Sequence, residues 1–92
     1  MDNVDARVMI ALHRKEIEES DRVVIINLAY RMRQAQAVGE HKKDLRLPIE
    51  NLTQEKKVIK RIRRVAGEAG MDMAFAEKLY KLIIKESKRI QK

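Results

Sequence analysis

Apolar residues recur at intervals of three and four through the first half of the chain, at Ile10, Ile17, Val24, Leu28, Ala35 and Val38. At about 100° per residue these positions share one helical face, and they predict a helix over residues 5–43. No proline or glycine interrupts it before Gly39. A helix of that length draws little stability from itself and needs a partner along its flank. The run Asp44-Leu45-Arg46-Leu47-Pro48-Ile49 breaks it, since proline disfavours helix in the residue before it. Asn51, with Gln54 three positions on, reads as a capping box that opens a second helix. Its stripe is Leu52, Val58, Ile62, Val65 and Ala69, and it ends between Gly67 and Gly70. Asp72 caps a third helix with the stripe Ala76, Leu79, Ile83, Ser87 and Ile90, flanked by Tyr80, Ile84 and Gln91. Met71 and Met73, at its start, are expected to fill the core. The pattern is all-α, with three helices in a single domain over residues 1–92.

Charges interrupt the apolar face of the first helix. Arg14, Asp21, Arg31 and Lys42 all lie within about 60° of the direction of Ile17. A charge turned inward costs several kcal/mol unless something compensates it. One acid cannot neutralise three bases, so the pattern calls for glutamates from elsewhere in an interior salt-bridge network or, the favoured reading, for a small, multiply anionic ligand. Arg14 and Arg31 are separated by about 25 Å along a helix at 1.5 Å per residue, too far for one small molecule to touch both. Arg31 and Lys42 are about 16 Å apart, within the span of two long side chains leaning together. Arg14 joins them only from a second, antiparallel copy, so the expected assembly is a homodimer with composite sites. Ser87 and Gln91 repeat the theme on the third helix, which points to a polar pocket inside a helical bundle.

Composition narrows the class further. The 92 residues are 45% hydrophobic and 38% charged, with three aromatic side chains, three glycines and one proline. A monomer of this size would have a thin core that association would thicken. The net charge of +7 would suit nucleic acid, but the lysines and arginines are spread round their helices rather than gathered in a binding motif. No nucleic-acid partner is therefore expected. No apolar run approaches the roughly 20 residues that span a bilayer, and the acidic opening Met1-Asp2-Asn3-Val4-Asp5 has no leader-like hydrophobic region. A cytoplasmic protein without a membrane partner is the expectation. There is no cysteine, no Ser-His-Asp arrangement and no glycine-rich phosphate loop. His13 and His41 lack further ligands at metal spacing and read as surface residues, so no metal or cofactor is expected.

The run Leu12-His13-Arg14-Lys15-Glu16-Ile17-Glu18-Glu19-Ser20-Asp21 resembles the opening of the all-helical chorismate mutases. So do the spacing from Arg31 to Val38-Gly39-Glu40-His41-Lys42, the following Leu47-Pro48-Ile49, and the tail from Leu82 through Ser87 to Gln91. The resemblance covers residues 10–92 without insertions. It implies an intertwined dimer with antiparallel long helices, and the Claisen rearrangement of chorismate to prephenate without covalent catalysis. It also implies site roles. Arg14 of the partner copy and Arg31 would bind the substrate carboxylates, and Lys42 and Gln91 the ether oxygen. Glu55 would receive the ring hydroxyl beside the backbone near Asn51, and Ser87 would assist a carboxylate. Many members of the family carry Asp where this chain has Asn51 and Arg where it has Gln54; of these two substrate-binding positions, the missing arginine at Gln54 is expected to weaken the cationic pocket, while Asn51 remains a good cap. Competing readings are an isochorismate-pyruvate lyase on the same scaffold, a mutase for an amino-substituted chorismate, and a non-catalytic basic helical dimer.

Overall fold

The computed structural model describes residues 3–92; Met1 and Asp2, the start of the acidic opening, lie outside them. The described residues form three helices, α1 (Asn3–Asp44), α2 (Leu52–Ala69) and α3 (Met73–Ile90), and no strand. Two compact units divide inside α1, between Arg31 and Met32.

The first unit is α1 up to Arg31. Every residue from Val4 to Asn27 is exposed, including Ile10, Ile17 and Val24 of the predicted stripe. Val23-Val24-Ile25-Ile26 places aliphatic side chains right round the helix, each more than half exposed.

The second unit runs from Met32 to Lys92 and has its own core. Val58 and Ala66 of α2 meet Ala76, Ile83 and Ile84 of α3. None of its side chains falls below 2% exposure, so the core is thin. The small residues Ala66 and Ala76 lie nearest the α2–α3 turn. The buried arcs are rotated from those the sequence predicts. On α2 the arc runs through Val58, Ile62 and Ala66, with Ile59 beside it, and leaves Leu52, Val65 and Ala69 exposed. On α3 it takes in Ile84 and Gln91, while Leu79 stays at the edge. Met71 and Met73 are not core residues, being 49% and 43% exposed. Met73 instead lays its thioether over the bare backbone of Gly67, where an added Cβ would sit 3.6 Å from its methyl.

Local chemistry sets the helix ends. Asn51 Oδ1 accepts from the Gln54 N–H at 3.0 Å, and Asp72 Oδ1 from that of Phe75 at 2.8 Å. Gly70 closes α2 in the left-handed conformation at φ 75°, with the Met71 N–H returning to the Ala66 carbonyl at 2.8 Å. The end of α1 closes in the same way, the Leu47 N–H reaching the Lys42 carbonyl at 2.8 Å, although the left-handed residue there is Arg46 at φ 57°.

Candidate active site

Four of the candidate residues, Lys42, Glu55, Ser87 and Gln91, lie in the second unit, on its three helices and at the C-cap of α3. Lys42, in the last turn of α1, donates from Nζ to the Ile49 carbonyl at 2.7 Å, which ties its ammonium to the loop before α2. One turn earlier, Gly39 is buried against α3. A Cβ at Gly39 would meet Cβ and Cγ of Gln91 at 2.8 Å and its Cα at 3.0 Å. Only glycine permits this approach, so Gly39 here is a point of helix contact, not a break. Its neighbour across the contact, Gln91, is buried, and its Nε2 donates to the Ser87 carbonyl at 3.0 Å. Ser87 is buried too and donates from Oγ to the Ile83 carbonyl at 2.8 Å, with Met32 Sδ at 3.7 Å.

Glu55 stands in the first turn of α2, half-buried. Its Oε1 accepts from Lys88 Nζ at 3.2 Å, and Lys88 also reaches Glu50 Oε1 at 3.3 Å. These bonds, Glu55 first and Glu50 next, raise the Lys88 pKa above its ordinary 10.5 against the opposing pull of burial. Among the described residues, two buried acceptor oxygens lack any partner, Glu55 Oε2 and Gln91 Oε1. An unmet buried acceptor of this kind costs about 1–3 kcal/mol. Both sit on side chains that the sequence had singled out.

The remaining candidates are placed differently. Asn51 and Gln54 are exposed and joined by the cap bond, so Asn51 spends its side-chain oxygen on the helix. In the first unit Arg14 is exposed and Arg31 half-buried. A cavity of about 660 Å³ opens between α2 and α3, walled by Leu52, Ile59 and Ile84 and rimmed by lysines. Of the predicted site residues only Glu55 lines it, with Lys88 beside it. At its far end Glu77 accepts from Arg63 at 3.1 Å and pairs with Lys81 at 3.2 Å. The hydrogen bond from Lys81, with a smaller contribution from Arg63, lowers the Glu77 pKa below 4.5 although burial opposes it.

Sequence reasoning missed Lys88, Glu50 and the role of Gly39. Lys88 follows Ile84 by four positions, which puts it on the side of α3 that Ile84 shares. That spacing was the available signal.

Residues 13–92 match the family Chorismate mutase type II. The chain belongs to that family. It is 33% identical over 79 residues to a chorismate mutase from Methanocaldococcus jannaschii, a match spanning 86% of this chain and 80% of the relative. In fold it is similar to a conserved hypothetical protein from Pyrococcus furiosus, with a TM-score of 0.72 and 34% identity, over 91% of this chain and 96% of that one. The activity is that of a chorismate mutase, an isomerase that rearranges chorismate to prephenate. One C–O bond breaks and one C–C bond forms within a single molecule, so no nucleophile or base is required. Donors, cations and a carboxylate acceptor are the equipment such a site needs.

Proposed function

We propose that catalysis rests on Lys42 and Gln91 as donors to the ether oxygen, with Glu55 accepting the ring hydroxyl, and that the working unit is an antiparallel homodimer. The observation that carries this reading is the buried, unpartnered oxygen of Glu55, with the Lys42 ammonium and the Gln91 amide each held by one N–H on a backbone carbonyl.

Lys42 gives one N–H to Ile49 and keeps two for substrate. Gln91 gives one N–H to Ser87 and keeps one. Both therefore have donors left for an oxygen on which negative charge grows as the ether bond breaks. Because they are held in place beforehand, little reorganisation accompanies the reaction. The unmet Glu55 Oε2 is suited to the ring hydroxyl, a donor that holds the flexible substrate in its compact shape. Ser87 supports a carboxylate by turning its hydroxyl from the Ile83 carbonyl to a charged acceptor. Asn51 contributes through its backbone, its side chain being occupied, and Gln54 stands as a neutral substitute at the position of the family's arginine.

Arg14 and Arg31 bind the two carboxylates, Arg14 coming from the second copy. Support for the dimer is the continuous exposure from Val4 to Asn27 of a helix that carries Val8, Ile10, Leu12, Ile17 and Val24. An apolar helix face left in water is a binding face, and a second copy of the same segment covers it with self-complementary symmetry. No described helix is long and apolar enough to cross a membrane, and we assign the enzyme to the cytoplasm.

The test mixes two inactive variants. Arg14→Ala and Lys42→Ala chains, unfolded together and refolded, form mixed dimers in which one of the two sites has both residues restored. Recovery of about a quarter of wild-type activity, followed by loss of chorismate absorbance, is expected for random pairing. No recovery, with both variants folded, means that Arg14 and Lys42 do not serve one shared site.

A further inference from the structure

The two oxygens of Glu55 stand in different conditions. Oε1 is paired with Lys88 at 3.2 Å, whereas Oε2 is buried with no partner. A glutamate has three side-chain torsions, and Lys88 is the ion-pair partner that the structure gives this one. Lys88 itself is anchored twice, at Glu55 and at Glu50 Oε1, and so links α3, the loop before α2 and the first turn of α2. Burial is unequal along this bridge. The Glu50 side chain is 62% exposed, while those of Lys88 and Glu55 are 30% and 25% exposed. Water can replace the Glu50 contact readily and the Glu55 contact only poorly. Lys56 and Lys85 border the same cavity, but the ammonium that meets the carboxylate is that of Lys88.

We propose that Lys88 is a positioning residue, which holds the Glu55 carboxylate by one oxygen so that the other is presented to the hydroxyl of the substrate. The inference rests on Glu55 being the hydroxyl acceptor. Without Lys88 the carboxylate is free to swing toward the solvent side of the cavity or toward Lys56, and Oε2 leaves its place. A second consequence follows from charge. A bare carboxylate repels a doubly anionic guest, and the paired ammonium offsets that repulsion for any such guest, hydroxylated or not.

The two effects separate experimentally. Two non-reacting cyclic dicarboxylates that differ only in one ring hydroxyl are titrated as competitive inhibitors of chorismate turnover. Wild type, Lys88→Met, Lys88→Arg and Glu55→Ala are compared, each first checked for a wild-type helical spectrum. Lys88→Met is expected to weaken the hydroxylated inhibitor about tenfold, as for loss of one hydrogen bond to a charged group. The inhibitor without the hydroxyl should weaken several-fold less. Lys88→Arg, which keeps a cation able to fork between Glu50 and Glu55, should restore both to near wild type. Equal weakening of both inhibitors in Lys88→Met, or no weakening of either, overturns the positioning role. If Glu55→Ala itself fails to distinguish the two inhibitors, the hydroxyl assignment falls, and the role of Lys88 falls with it. A loss in Glu55→Ala that Lys88→Met does not reproduce removes Lys88 alone.

Discussion

The α1 segment from Val4 to Asn27 and the α2–α3 pair are both helical and both rich in aliphatic residues, yet they use those residues in opposite ways. In α2 and α3 the apolar side chains converge, and Val58, Ala66, Ala76, Ile83 and Ile84 are buried within one chain. In the α1 segment Val8, Ile10, Leu12, Ile17 and Val24 remain 49–58% exposed. Helix propensity cannot account for the difference, because isolated helices of either composition are marginal in water. What separates them is that the α2–α3 pair covers its own apolar face, whereas the apolar face of the α1 segment stays exposed; on the dimer reading proposed above, a second copy covers it. The difference also sorts the candidate chemistry. Lys42, Glu55, Ser87 and Gln91 belong to the unit with a core, and Arg14 and Arg31 to the uncovered helix.

The largest effect expected from this contrast is catalytic. Lys42→Ala removes a preorganised donor and should lower turnover about a hundredfold or more, roughly 3 kcal/mol in the barrier. Its ammonium bonds the carbonyl of Ile49 in a loop, so the helical spectrum and assembly should be unchanged. Turnover near wild type would remove Lys42 from the site. Next in size is a matched pair of truncations. Ile83→Ala empties part of a thin core that can collapse, and should destabilise by about 2 kcal/mol, toward the low end for such changes. That loss, read from urea unfolding, arises within one chain. Ile17→Ala should have little effect on a single chain and should act through association, so that its activity falls on dilution and recovers at high protein concentration. If the two variants show the same concentration dependence, the division between self-covered and partner-covered faces is wrong.

Much of this arrangement was legible in the sequence, and the successes share a cause. Asn51, Asp72, Gly70 and Pro48 act on backbone groups within a few residues, so local chemistry sufficed to set the ends of α2 and α3. The polar intrusions at Ser87 and Gln91 were legible too, since a buried polar group stands out against an apolar period. The failures all depend on contacts between distant segments. Val65 sits on the predicted stripe of α2 and is exposed, because α3 packs toward Ile59 and Ala66 instead. Met73 was expected inside and lies on the surface, because its partner is the bare Gly67 backbone. Gly39 reads as a weak point in a helix until Gln91 is found against it. Lys88 looked like one more solvated base; only the fold brings it to Glu50 and Glu55, from 38 and 33 positions away.

The smallest predicted effect concerns two turns inside the self-covered unit. Both α1 and α2 end in the same paired backbone closure, but the left-handed position is Gly70 in one and Arg46 in the other. Glycine takes that conformation freely, whereas a residue with a Cβ is strained by about 1–2 kcal/mol. The Arg46 turn nevertheless leads straight to Ile49, whose carbonyl holds Lys42, so the strain lies next to the proposed donor. Arg46→Gly should relieve the strain while adding freedom to the unfolded chain, for a net gain of about 0.5–1 kcal/mol. At fixed protein concentration this should appear as a rise in Tm of about 2–8 °C. Because the Leu47 to Lys42 bond is made by backbone atoms alone, kcat should not change. A gain in stability with a fall in kcat would mean that the strained turn sets the position of the Lys42 ammonium. A loss of stability would mean that the Arg46 side chain contributes more than its backbone strain takes away.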